Sequence, residues 1–422
     1  MKKLSNNQSV EIINVGTELL LGNILNSNAK WLAENLAELG IEHYRQTVIG
    51  DNFDRLKQII LEASQRSRIV ITTGGLGPTP DDITTEAIAS AFGVNLTENK
   101  YIVEDIKNKM GSSFNLPKSN LKQAFFPPDA EIIYNPSGTA PGMIWSPTKF
   151  CTILTFPGVP SEMKKMWELT ARNWLIINHP SKRIFTSTNL KFTGISESAL
   201  VEKIPNLINK KNPTVAPYAS LGEVKIRITA KSKDTKEGNI LISPIANELI
   251  NKFEHNFFGR DKETLSSVVI DLLRQKKQTI AVAESCTGGL LAASLTAIPG
   301  SSDVFLGGVV AYNNLIKENI LGVPKDLLTK HGAVSEPVVQ SMAFGIQKAF
   351  KTDWAIGISG IAGPSGGTLS KPIGNVEFYI SGPKVNQSIQ EKFGSFRDRA
   401  EIQKLSVVRA LDQVRLFLLC QS

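Results

Sequence analysis

Cysteine and histidine are scarce in this chain. Three cysteines, Cys151, Cys286 and Cys420, stand far apart among 422 residues, with no CxxC pair. So sparse and odd a set argues against a disulfide framework and for a reducing compartment, so the cytoplasm is the expected location. Long apolar runs are also missing: no window approaches the ~20 apolar residues that a membrane helix needs. The start, MKKLSNNQS, lacks the ~7–15-residue apolar core of a secretory signal. No strong charge excess dominates. The net charge is +8, and residues 181–254 carry 12 Lys and Arg against 7 Asp and Glu. A solvated basic face accounts for that segment, and nucleic acid is not an expected partner.

What is present is alternation. Three parts are expected, 1–177, 178–259 and 260–422. In the first, short apolar runs alternate with helical patterns, the mark of βαβ units. Residues 10–16, 41–50, 68–75, 131–135, 142–145 and 150–158 read as strands. Residues 28–40, 53–66 and 82–92, further sequence to about 123, and 160–177 read as helices. The second part reads as a small α+β module with a hairpin (TVAPYAS and EVKIRITAKS) and a helix over 238–254. Glu223 and Arg227 fall on one face of its second hairpin strand, where an ion pair is the simple expectation. The third part returns to alternation, with strands at 279–283, 304–312, 353–359, 374–380 and 387–394 and a closing helix at 398–419. The expected class is α/β: two α/β domains joined by an α+β module.

Two stretches carry candidate chemistry. TTGGLGPTPDDITTEA (72–87) places glycines between a buried strand and a helix, where backbone N–H groups can face an anion. Asp81 or Asp82 could simply cap that helix. Carboxylates beside a phosphate site usually share a cation, and Mg²⁺ takes one or two of them. The stretch matches neither GxGxxG nor a Walker loop. GTELLLG, GDN, NPSGTAPGM and FPGVPSEM also join or follow strands, as substrate loops of an open α/β sheet do.

AESCTGG (283–289) puts Ser285, Cys286 and Thr287 at a strand-to-helix turn, suited to a nucleophile or to an anion. It is not the GxSxG elbow. A serine nucleophile needs a base. Only four histidines exist in the chain, and His331 alone lies in the third part. Lys317, in the helix after Tyr312, is a second candidate, because a desolvated lysine can be neutral enough to take a proton.

GTELLLGNILNSNAKWLAENLAELG, TTGGLGPTPDDITTEAIASAFG and PGVPSEM resemble the molybdopterin-binding domain, and more closely its version at the front of CinA proteins. That resemblance implies metal-dependent hydrolysis of ADP-ribose to AMP and ribose 5-phosphate, with Mg, Mn or Co as cofactor. It makes Asp82 catalytic and a metal ligand, with Asp51 and Glu18 as further ligands. Gly74, Gly75, Gly77, Ser137 and Thr139 are the expected substrate contacts. The middle part resembles the KH-type module of the same proteins, but it lacks the GxxG loop that clamps nucleic-acid backbone.

AESCTGGLLAASLTAIPGSSDVFLGGVVAYNN, HGAVSEPVV and ISGIAGPSGGTLSKPIG resemble the C-terminal CinA family, whose enzymatic members are nicotinamide-nucleotide amidases. The resemblance implies hydrolysis of nicotinamide mononucleotide, without metal, by Ser285 with Lys317 and Tyr312 as partners. Thr287, Gly288, Gly289 and Gly360 are expected at the substrate, and Arg397 at its phosphate. Phe396 and Gln403 depart from the family's acidic residue and arginine at those places. The family precedent is a homodimer. Two rival readings are a non-catalytic partner in competence or DNA damage and a pterin-binding molybdenum-cofactor protein.

Overall fold

Strands form where branched apolar residues run together, and they stop at glycine, as in RIVITTGG. The computed structural model describes residues 10–110, 117–180 and 183–420. The start 1–9 and part of the helical stretch expected before 123 (111–116) lie outside them. Two compact units are present: 1–186 with 231–238, and 187–230 with 239–422.

The first unit contains β1 (Val10–Val15), β2 (His43–Ile49), β3 (Ile69–Thr73), β4 (Thr97–Glu98), β5 (Phe125–Phe126), β6 (Glu131–Ile133), β7 (Gly142–Thr148) and β8 (Cys151–Phe156). Six of them form one sheet in the order β2-β1-β3-β8-β7-β6, and β4 pairs with β5. The pairs β1–β2, β1–β3 and β3–β8 are parallel, whereas β7 and β6 run antiparallel at one edge. Every residue of β1 and β3 is buried. Strand alternation sends Ile12 and Ile71 to one core and Ile13 and Val70 to another. Helices therefore cover both faces, and the loops at the carboxyl ends of the strands are left to bind ligand.

Next come β9 (Ile184–Thr193), β10 (Thr214–Ser220), β11 (Glu223–Ser232) and β12 (Phe257–Arg260), in the order β10-β11-β9-β12. The hairpin expected from the sequence is β10–β11, in antiparallel register from Thr214↔Thr229 to Ser220↔Glu223. The expected Glu223–Arg227 ion pair is not formed among the described residues. Residues four apart on a strand are ~13 Å apart, and Arg227 Nη2 donates instead to Ser187 Oγ at 3.4 Å. Strand β12, which the sequence reading missed, joins the sheet edge beside β9.

The last sheet has β13 (Ile280–Glu284), β14 (Phe305–Val310), β15 (Trp354–Gly360), β16 (Asn375–Gly382) and β17 (Val385–Lys392), in the order β14-β13-β15-β16-β17. β13 pairs in parallel with β14 and β15, and β16 and β17 continue antiparallel. Ile280 and Val282 face the helices Leu265–Lys276, Leu290–Thr296 and Arg399–Cys420, while Ala281 and Ala283 face Glu336–Phe350. Within this second unit Arg415 is fully buried. It donates to Asp412 Oδ1 (3.0 and 2.7 Å), to the Phe257 carbonyl (2.9 Å) and to the His255 carbonyl (2.7 Å). One side chain thus ties the closing helix to β12.

Candidate active sites

β13 is hydrogen-bonded on both sides, and the chain leaves it at Ser285, whose own N–H donates to the Ile358 carbonyl at 2.9 Å. The helix that follows begins only at Leu290, after a turn with Gly288 and Gly289 at φ +63° and +98°. The turn has this shape because Glu284, fully buried, folds its carboxylate back over the helix start. It accepts from the N–H groups of Gly289 (3.1 Å), Leu291 (3.0 Å) and Ala292 (2.8 Å). Gly288 and Gly289, expected at the substrate, serve here to shape the turn. Neither lines the cavity beside Ser285, and the donors of the helix start are consumed by Glu284. The Thr287 side chain is buried and does not line the cavity, and its hydroxyl meets no partner among the described residues.

That cavity, of about 290 Å³, is bounded by Ser285, Tyr312, Lys317, Val334, Gly360 and Arg399, among others. Ser285 is 8% exposed and Lys317 only 1%. Lys317 Nζ lies 3.1 Å from Ser285 Oγ, 2.7 Å from the Ala311 carbonyl and 3.4 Å from the Tyr312 carbonyl. The carbonyls can only accept. The contact to Ser285 is the one that can reverse, since a neutral amine offers a lone pair to the hydroxyl proton. Burial pushes the Lys317 ammonium below the ordinary lysine range, which favours that neutral form. Cys286 points the other way: burial pushes its thiol up to about 12, with the Glu284 charge adding to the effect. A thiol protonated at neutral pH is a poor nucleophile, and of the three side chains it is Ser285 that has the Lys317 amine within hydrogen-bond distance. His331 lies elsewhere, at the end of Lys325–His331, with its carbonyl accepting from Lys371 Nζ at 2.8 Å.

Tyr312 is 60% exposed, and its hydroxyl accepts from Arg399 Nη2 at 2.8 Å. Arg399 Nη1 donates to the Gly363 carbonyl at 2.9 Å, so this guanidinium spans two walls of the cavity. Arg397, the expected phosphate ligand, is corrected. It does not line the cavity; its Nε donates to the Phe393 carbonyl at 3.0 Å and its guanidinium stacks on the Phe396 ring at 4.9 Å. The closing helix starts at Arg399, two residues later than Arg397, and that start decides which arginine turns inward. Asp398 and Arg399 then supply the acid–arginine pair sought at 396–397. Gln403, one turn on, donates from Nε2 to the Cys286 carbonyl at 2.7 Å.

In the first unit, a cavity of about 620 Å³ opens at the carboxyl ends of the parallel strands. Glu18, Asp51, Gly74, Gly75, Gly77, Asp82 and Thr139 all line it. Glycine is obligatory at Gly74, where φ is +97° and backbone leaves no room, whereas a side chain at Gly77 would displace the Asp82 carboxylate. A Cβ at Gly74 would lie 2.1 Å from the Val15 carbonyl, and at Gly77 it would lie 2.5 Å from Asp82 Oδ2. Asp82 does not cap the following helix, whose first residue is Thr84 and whose N-cap is Ile83. Its Oδ2 instead accepts from Thr79 N (2.9 Å) and Thr79 Oγ1 (2.7 Å), while Lys122 Nζ donates to the Asp82 carbonyl at 2.8 Å. Asp51 Oδ2 accepts from the N–H and hydroxyl of Thr17, both at 2.8 Å. Ser137 is a correction: it does not line the cavity, and its hydroxyl accepts from Lys165 at 3.0 Å. Two lining residues were missed by the sequence reading. Glu162 accepts from Asn135 Nδ2 at 2.8 Å, and Gln123 Nε2 donates to the Leu76 carbonyl at 3.2 Å. The SEM that follows FPGVP was a signal for the first; nothing in the sequence marked the second.

The three acids Asp82, Asp51 and Glu18 were expected to hold a metal together. Among the described residues no group of three His, Cys, Asp or Glu is placed to do so. Asp51 and Asp82 stand on different loops, each accepting from a separate threonine. What fits is the sparser mode in which one or two carboxylates and the substrate's own oxygens share a divalent ion.

Three family models match the chain in succession. Residues 11–176 match the probable molybdopterin binding domain, 187–259 the damage-inducible protein CinA KH domain and 262–418 the CinA C-terminal domain. A CinA-like protein of Prochlorococcus marinus is 63% identical over 419 residues, 99% of each chain. Another, from strain NATL1A of the same species, is 56% identical over 97% of this chain and 96% of its own. Among solved structures, the competence/damage inducible protein CihA from Agrobacterium tumefaciens is 36% identical over 37% of this chain and 94% of its own, with a TM-score of 0.36. The chain belongs to the CinA family.

Proposed function

We propose that this protein is a hydrolase of pyridine nucleotides whose second unit deamidates nicotinamide mononucleotide. The observation that carries the reading is the buried Lys317 Nζ at 3.1 Å from Ser285 Oγ in one cavity. Ser285 Oγ attacks the carboxamide carbon and its proton passes to Lys317 Nζ. The same proton is returned to the leaving nitrogen as the C–N bond breaks, releasing ammonia and leaving an acyl ester on Ser285. Water then attacks that ester, with Lys317 again taking the proton, and nicotinic acid mononucleotide leaves. Arg399, with its planar fork, suits the nucleotide phosphate.

The test is ammonia release from nicotinamide mononucleotide by purified protein. Wild type should release it, and Ser285→Ala should lose at least ~10³-fold in rate, as expected when a covalent nucleophile is removed. No ammonia from wild type, or equal ammonia from the variant, overturns the reading.

The acidic, glycine-walled cavity of the first unit favours a second activity, hydrolysis of the diphosphate of ADP-ribose. Asp82 and Asp51 would hold a divalent cation with the substrate oxygens, and that ion would neutralise charge on the diphosphate. AMP release should require added Mg²⁺, Mn²⁺ or Co²⁺ and should fall by about 10²-fold or more in Asp82→Asn. Release that survives this substitution removes Asp82 from the mechanism.

A further inference from the structure

Gln403 lies outside the cavity in which Ser285 reacts, yet it grips the turn that carries the nucleophile. Its Nε2 donates to the Cys286 carbonyl at 2.7 Å. A peptide unit is planar and trans, so fixing that carbonyl fixes the N–H on its opposite side, which belongs to Thr287. Among the described residues the Thr287 N–H has no acceptor and the Cys286 N–H faces its own sulfur, whereas the Ser285, Gly288 and Gly289 N–H groups are all taken. Glu284 holds the helix start, so within the described residues of this turn the Thr287 N–H is the donor left open.

We infer that Gln403 is a positioning residue, which orients and polarises the 286–287 peptide so that its N–H stabilises the oxyanion formed when Ser285 attacks. A hydrogen bond accepted by a carbonyl strengthens the N–H of the same peptide as a donor. The side chain thus acts through the backbone and touches no reacting atom. This assignment rests on Ser285 as nucleophile and not on the identity of the amide.

Three variants and a probe that needs no natural substrate test it. The probe is a fluorophosphonate, which displaces fluoride at phosphorus when a serine attacks and builds negative charge on the phosphoryl oxygen. Mass spectrometry follows the rate of labelling at Ser285. Gln403→Glu keeps size but turns a donor toward the carbonyl into an acceptor; Gln403→Met keeps size and offers no donor; Gln403→Arg keeps a donor. Labelling should slow by roughly ten- to a hundredfold in the first two, within the range for weakening an oxyanion donor. It should remain within about threefold of wild type in Gln403→Arg, since that side chain still donates to the carbonyl. With nicotinamide mononucleotide the same loss should fall on kcat with KM little changed, because a transition-state contact is lost. Labelling at the wild-type rate in Gln403→Glu and Gln403→Met overturns the inference, as does loss in Gln403→Arg equal to theirs with all melting temperatures unchanged. Labelling of wild type without ammonia release overturns the substrate and leaves the positioning role standing. No labelling of wild type overturns the role together with the nucleophile.

Discussion

Lys317→Met should lower kcat/KM for nicotinamide mononucleotide by roughly 10³-fold, within the span for a lost general base, without unfolding the protein. The side chain is 1% exposed and its nitrogen is the only base among the contacts of Ser285 Oγ. Methionine fills the same channel but offers no proton acceptor of comparable strength. Two stability effects oppose each other in the variant. The Ala311 carbonyl loses its donor, which costs ~1–3 kcal/mol. The penalty of burying an amine is relieved at the same time. The melting temperature should therefore move little, and a calorimetric scan beside the kinetics separates lost chemistry from lost fold.

The pH profile sharpens this test. The folded-state pKa of Lys317 is depressed by burial, and the active form is neutral. kcat/KM in wild type should rise with pH through that depressed value and level off below ~10.4, the unperturbed lysine value. The sign for stability is the same. The unfolded chain binds the lysine proton more tightly than the folded one, so this group's contribution falls as pH drops below the ordinary lysine pKa, and the penalty is complete once pH is below the folded one. A rate that is flat across the approach to the plateau, or one that falls with rising pH there, removes Lys317 as the base.

Arg415→Leu should destabilise the second unit by ~3–5 kcal/mol, the usual effect of leaving one partner of a buried ion pair alone. Asp412 would stay buried without its guanidinium, and burial already pushes its carboxyl above the usual range against the pull of Arg415. The carbonyls of His255 and Phe257 would lose their donors as well. The double variant Asp412→Leu/Arg415→Leu should recover much of the loss, since two apolar side chains replace the pair with no charge left over. Urea unfolding of the three proteins measures this. A double variant as unstable as the single one would mean that the carbonyl contacts, and not the ion pair, hold β12 to the closing helix.

The strands of both α/β parts were legible because each is a short branched-apolar run ending in glycine or polar residues. The Ser285 turn was legible for the same reason. Its pairing with Lys317 was expected from the family resemblance and not from pattern, because the two are 32 residues apart and periodicity says nothing about contacts across a sheet edge. Arg397 was expected from the family resemblance of the FGSFRDR stretch, whereas Arg399, at the start of the closing helix, is the arginine that lines the cavity. Glu284 lay just past the expected strand and carried no expected role; that its carboxylate takes three N–H groups depends on the turn's shape. The acids of the first unit were correctly placed around one cavity. They do not converge: Asp51 and Asp82 stand on different loops, accepting from Thr17 and Thr79 respectively.

Ser285 sits at the end of β13, an interior strand paired on both edges, with the Glu284 carboxylate closing the turn. Arg399, Tyr312 and the 361–366 segment belong to connections and to a helix start at the rim. On the proposed function, the attacking group and the walls that select its substrate are thus carried by different pieces of chain. Changes along 361–366 should then retune which amide is accepted while Ser285 stays where it is.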